Sequence, residues 1–266
     1  MINSARSECL ALVICTALVL GLGHSAACRA ADGWTDTRIA GPFVCYANFP
    51  LGNLDRLVQE LAELQNDLVR YLGIRPASEI IELCLFRDEA SYREYISRYL
   101  PQVPYRRALY VKIGNRGMVF AFQGHNFEVD LRHECTHALL HAALPMVPLW
   151  LDEGLAGYFE VAAVDRTFQN PHLFSVRWLA QFGMIPRLET LEKKTDLNQM
   201  GSSEYRACWA WVHFMLHGPY PAHDELVRFL GDIQEGTPPG LLSCRLPQRV
   251  PDLQHSISTH FRSWKH

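Results

Sequence analysis

The feature that most constrains this chain is a run of two apolar segments, one over 127–143 and a second that carries Glu153 and runs to Glu160, each carrying ionisable residues where a buried helix would ordinarily carry none. The first contains His133-Glu134-Cys135-Thr136-His137, an H-E-x-x-H pattern. On a helix the two histidines stand one turn apart, about 6 Å along the axis, and on one face. Two imidazoles so placed can share one metal ion, with Glu134 directed toward the water that ion would hold. The context is helical: Phe127, Leu131, Ala138, Leu139 and Ala142 recur at helical spacing, and Pro145 and Pro148 stop the pattern. Pro148 falls where a first-turn proline would start the next helix, with Asp152 and Glu153 early in it, where acidic side chains suit the helix dipole. A fold-back across the short Pro-containing turn would bring Glu153 to the histidines as a third ligand. Two histidines and a carboxylate leave a position open for water, a catalytic arrangement, whereas structural zinc is closed by four protein ligands.

His133-Glu134-x-x-His137 followed by Trp150-Leu151-Asp152-Glu153-Gly154-Leu155-Ala156 resembles the gluzincin metallopeptidases, whose second helix carries W-L-x-E-G-x-A. Within that group the chain is most similar to the bacterial peptidase-MA-like proteins. The resemblance covers residues 131–160 and, more weakly, 205–216. It implies one Zn2+ per chain held by His133, His137 and Glu153, Glu134 as general base, and a peptide or protein substrate. A metzincin would need a glycine and a third histidine where Leu140 and Ala143 stand. The resemblance also makes Tyr205 the candidate donor to the oxyanion, because it precedes Trp209, His213 and Phe214 as a tyrosine precedes a similar helix in related proteins. The alternative is that Tyr205, Trp209 and His213 form a packed i, i+4 face. His213 and His217, also one turn apart, could bind metal or supply that donor in place of Tyr205, but no carboxylate motif accompanies them. His141 shares a face with the metal pair as a neighbour, not a ligand that would close the site. Asp152 can orient a ligand histidine or serve as a first-turn dipole residue.

Residues 1–30 read as a secretory signal: Arg6, then thirteen apolar-rich residues from Leu10 to Leu22, then small residues. The run is short for a stable membrane span. Cleavage after Ala30 or Ala27 is compatible with the pattern. The latter would leave Cys28 first, the place of a lipid anchor, although Ser25 replaces the usual aliphatic residue. An exported protein, periplasmic or secreted, is expected. Removing residues 1–30, with Arg6 and Arg29 against Glu8, takes the formal charge from −3 to −4, which provides no overall footprint for nucleic acid. The arginines at 87, 93, 98, 106 and 107 read as solvated faces. Cys45, Cys84, Cys135, Cys208 and Cys244 remain, an odd number. Buried thiols are expected, with one disulfide such as Cys208–Cys244 open in an oxidising compartment.

The expected fold class is α+β and zincin-like: residues 31–266 form a single catalytic domain, with a mixed sheet and helices over 31–125 and a mainly helical part over 126–266. Strands are expected at Phe43–Phe49 and Glu79–Phe86, and helices over Leu54–Leu72 (ended by Gly73) and from an Asp88 cap to Tyr99. Ala108–Ile113 and Met118–Gln123 flank Gly114-Asn115-Arg116-Gly117 as a hairpin. Its second strand is the expected edge, either holding an extended substrate by main-chain pairing or purely structural. Further helices are expected at His172–Phe182, at Ser203–His217 capped by Ser202 or Ser203, and at Asp224–Leu230. A loop over Gly236–Gly240 follows, then a tail with Leu253, Ile257, Phe261 and Trp264 at helical spacing. The expected function is an exported zinc-dependent metallopeptidase using a zinc-activated water and a Glu base. The alternatives are a catalytically inactive zinc-bearing binding protein of the same fold and a metal-free structural export protein.

Overall fold

The computed structural model describes residues 33–264. The segment read as a signal, both cleavage positions and Cys28 lie outside the described residues. The described chain forms two compact units, residues 33–66 with 77–142 and residues 67–76 with 143–264. The boundary leaves the His133–His137 segment with the sheet.

The first unit is built on a five-stranded mixed sheet of β1 (Asp36–Ala40), β2 (Phe43–Ala47), β3 (Ile81–Phe86), β4 (Ala108–Ile113) and β5 (Arg116–Phe122), in the order β1-β2-β3-β5-β4. The inner junctions β2/β3 and β3/β5 are parallel and the outer two antiparallel. Helix α1 (Asp55–Leu72) connects the parallel pair β2 and β3. Its Leu57, Leu61, Leu64, Leu68 and Leu72 make one buried stripe, and Gly73, at φ +66, ends it with its N–H on the Val69 carbonyl at 3.0 Å. Helix α2 (Glu89–Tyr99) starts where expected, because the Asp88 carboxylate accepts from the Ser91 N–H at 2.9 Å. Its Tyr92 and Ile96 pack with Phe86, Leu109, Val111 and Phe120 on the sheet.

Two expectations change here. The turn is tighter than expected: Ile113 pairs with Arg116, so only Gly114 and Asn115 form the loop, with Gly114 at φ +60 as a two-residue hairpin with glycine first requires. The second hairpin strand, β5, is not an edge. It is paired to β3 on one side and β4 on the other, so the edge is β4. β1 was not anticipated, because Asp36 and Arg38 interrupt any apolar alternation; Arg38 instead ion-pairs with Asp55.

Helix α3 (Phe127–Ala143) runs beside β4. Arg107 pairs with Asp130 at 3.0 Å, the Tyr110 N–H donates to Glu134 Oε2 at 2.8 Å, and Lys112 Nζ donates to the His141 carbonyl at 2.7 Å. Going from the first to the last of these contacts, five residues of strand and eleven of helix each advance about 16 Å, so strand and helix stay in step.

The second unit is helical: α4 (Leu149–Phe159), α5 (Leu173–Gln181), α6 (Leu188–Glu192), α7 (Ser202–His217), α8 (Tyr220–Gln234), α9 (Leu242–Arg249) and α10 (Leu253–Ser263), with the last turn of α1. Pro148 stands at the N-cap of α4, one residue earlier than a first-turn proline. Helix α7 is capped at Gly201 and not at a serine: Glu204 reaches back to accept the Gly201 N–H at 2.9 Å. The tail docks as its spacing implied, with Ile257 and Phe261 buried and Trp264 Nε1 donating to the Thr167 carbonyl at 3.1 Å. All five cysteines among the described residues are free, Cys208 buried and Cys244 exposed, so the Cys208–Cys244 bridge is not formed. Among them, burial pushes the Cys45 thiol up to about 12.

Helix α4 is buried all round and packs on α7 at Gly154. A Cβ there would meet the Cys208 carbonyl oxygen at 2.7 Å and Val212 Cγ2 at 2.8 Å. Gly154→Ala should therefore destabilise the protein by about 1–3 kcal/mol, lowering Tm by at least about 2 °C in a calorimetric scan. An unchanged Tm would mean that the α4–α7 approach is looser than the geometry described.

Candidate metal centre

Residues 130–140 of α3 are buried without interruption. A helix in that position can keep polar side chains only if each finds a partner. Arg132, 5% exposed, donates to Glu60 Oε2 on α1 at 2.7 Å and to Glu128 at 2.9 Å, and Thr136 Oγ1 donates to the Arg132 carbonyl at 2.8 Å. Glu134 is oriented through the Tyr110 N–H. In the β4–β5 pairing the odd residues Leu109, Val111 and Ile113 face β5, so the N–H of Tyr110 points outward toward the carboxylate.

His133 and His137 come together as their spacing requires. Their rings lie 4.8 Å apart between centroids, and their Nε2 atoms are 3.1 Å from each other. Two nitrogens bound to one tetrahedral zinc at the usual Zn–N length would be about 3.3 Å apart, so the pair fits a shared ion closely. On α4, the Pro148 carbonyl accepts from the Leu151 and Asp152 N–H groups at 2.9 and 3.0 Å, starting the helix so that Asp152 and Glu153 lie in its first turns, both buried. Burial raises the Cys208 thiol well above its ordinary value, and the Glu153 charge adds to that rise.

His133, His137 and Glu153 each offer a ligand atom within 4.8 Å of the other two and could hold a metal ion. They are 4%, 0% and 1% exposed. His137, His141 and Asp152 form an overlapping group by the same measure, which gives His141 and Asp152 a place beside the pair. The donor set of two imidazoles and a carboxylate suits a borderline divalent cation. No family model matches the chain, and no curated protein matches it.

Tyr205 is half-buried in the first turn of α7, one turn before Cys208. Trp209 and His213 are fully buried with ring centroids 4.9 Å apart, so that part of the i, i+4 face is packed. The second histidine pair does not form a metal group among the described residues. His213 Nδ1 lies 3.1 Å from His260 Nε2 and its Nε2 3.2 Å from the Thr167 carbonyl, while His217 Nε2 is 2.7 Å from the Tyr158 hydroxyl. His260 and Tyr158 were not singled out from the sequence; the only signal for His260 was its place beside Phe261 in the tail stripe. The Tyr110 N–H, a backbone group, leaves no sequence signal at all.

Burial pushes His213 down to about 3, helped by His217 and His260, and pushes His217 and His260 each down to about 4. All three are neutral at pH 7. An unfolded histidine titrates near 6.5, so below that pH the unfolded chain binds more protons than the folded one. The stability is complete above about pH 6.5 and is lost as pH falls toward 4. The denaturant midpoint should therefore drop between pH 7 and 5, and His260→Gln should flatten that slope. A midpoint independent of pH over this range would rule out neutral burial of the three rings.

Proposed function

We propose that this chain is an exported zinc-dependent metallopeptidase of the gluzincin type, resembling the peptidase-MA-like proteins. The observation that carries the reading is the buried His133, His137 and Glu153 group, with Glu134 next to His133 and anchored by the Tyr110 N–H. Zinc held by those three residues would supply Lewis-acid polarisation of a peptide carbonyl and bring the pKa of a water toward about 7.

The chain's own residues do the rest. Glu134 accepts the proton of the attacking water and returns it to the leaving amine. The Tyr110 N–H, fixed in a paired strand, keeps that carboxylate in one orientation, so no reorganisation is needed when the proton moves. Tyr205 is the proposed donor to the oxyanion of the tetrahedral intermediate. Residues 1–30 direct export, which N-terminal sequencing of secreted protein would test.

Elemental mass spectrometry should find about one zinc per chain, reduced in Glu153→Ala. Glu134→Gln keeps an oxygen to accept the Tyr110 N–H and should keep both fold and zinc. It should lose peptide turnover by about 10²-fold or more, read against a peptide library. Zinc without turnover in the unmodified protein would favour the inactive binding protein. Folded protein that takes up no zinc would sink the proposal altogether. Undiminished turnover in Glu134→Gln would remove Glu134 as the base.

A further inference from the structure

Helix α5 is apolar on both sides. Leu173, Val176 and Ala180 face inward and are buried, while Phe174, Trp178 and Phe182 follow one another at i, i+4, i+8 on the outward side. These three are 83%, 55% and 63% exposed, and the rings of Trp178 and Phe182 are 5.1 Å apart. Gly183, at φ +64, turns the chain so that Met184, 56% exposed, follows directly. An amphipathic surface helix should turn charged and polar residues outward. This one places its largest aromatic residues there.

The segment that carries the face has a charge of definite sign. The chain as a whole carries 28 acidic against 25 basic residues. Between residues 173 and 194 the balance reverses: Arg177, Arg187, Lys193 and Lys194 stand against Glu189 and Glu192, and the Glu192 carboxylate is engaged by Ser243. Arg177 is exposed on α5 itself. The size of the face also discriminates. With aromatic side chains at about 150–250 Å² each, the three rings expose roughly 400 Å², about half of the roughly 800 Å² per partner that a standard stable protein interface buries. An interfacial helix needs less, because binding rests on a partly inserted apolar face plus attraction of flanking cations to anionic headgroups. Trp is favoured at that depth. No described helix is long and apolar enough to cross a membrane, so the contact would be peripheral.

We propose that the outward face of α5, with Phe174, Trp178, Phe182 and Met184, Arg177 beside them on the helix and the exposed Arg187 following in sequence, docks on the surface of an anionic lipid bilayer. This inference is independent of the metal centre and its chemistry.

Trp178 is the one exposed tryptophan among the described residues: Trp150, Trp209 and Trp211 are buried and Trp34 and Trp264 half-buried. The full chain is mixed with phosphatidylglycerol vesicles whose acyl chains carry bromine, which quenches indole emission at short range. Vesicles should quench the part of the emission that Trp178→Phe removes. The quenching should weaken with added salt and with neutral phosphatidylcholine. It should be lost in the Phe174→Ser/Phe182→Ser double variant, whose substitutions are at exposed positions and leave the reporter in place. Trp178 emission unchanged at saturating vesicles would overturn the proposal, as would equal quenching in the double variant. Self-association in sedimentation without lipid, abolished by the double variant, would also overturn it by assigning the face to a second copy of this chain.

Discussion

The hydrogen bond from the Tyr110 N–H to Glu134 is the contact on which the sheet-bearing unit's chemistry depends. An edge strand offers outward N–H groups that must find acceptors or water, and a helix buried all round needs partners for its polar side chains. Placing α3 beside β4 meets both demands together. The flanking contacts, Arg107 with Asp130 and Lys112 with the His141 carbonyl, keep helix and strand aligned over the same length. Glu134 is consequently a fixed carboxylate on a rigid frame, and His133 and His137 inherit their positions from the helix that Glu134 and Asp130 tie down.

That arrangement explains what could be read from the sequence. The bounds of α3, Phe127–Ala143, follow from local chemistry, the apolar spacing and the prolines at 145 and 148, and the structure has those bounds. The Asp88 cap is equally local. Strand order is not local. β4 and β5 are both apolar and adjacent in sequence, and nothing within either says which one pairs with β3. The parallel register of Leu83 with Val119 decides it, and that depends on the path through α2. β1 was missed for the opposite reason: its polar residues are satisfied by an ion pair with Asp55, distant in sequence.

The three residues that could hold a metal divide along the same line. His133 and His137 are set by spacing within one helix, so a pattern of five residues is enough. Glu153 depends on the rotation of α4, which its own sequence does not determine. Gly154 lets α7 approach to the point where any side chain would strike the Cys208 carbonyl, and this contact fixes the face that α4 turns toward α7. The glycine after the glutamate is thus read best as a packing residue. It sets the direction of its neighbour by removing a Cβ, which is why a W-L-x-E-G pattern carries more information than a lone glutamate.

The two histidine pairs show how far spacing alone can be trusted. His133/His137 and His213/His217 are both i, i+4 on helices, and in each the ring centroids are 4.8 Å apart. Only the first pair turns its Nε2 atoms toward one another, with a buried carboxylate in the same group. In the second, His213 spends its two nitrogens on His260 and a carbonyl, and His217 meets the Tyr158 hydroxyl. Aromatic walls from Trp209, Phe261 and Trp264 complete that environment, and burial there favours neutral rings that serve as core hydrogen-bonding groups. A carboxylate has the opposite consequence, since it compensates the charge of a cation that two imidazoles alone would leave exposed to a low dielectric. The same local spacing therefore yields a group that could hold a metal ion or a packed core according to whether the third residue is charged.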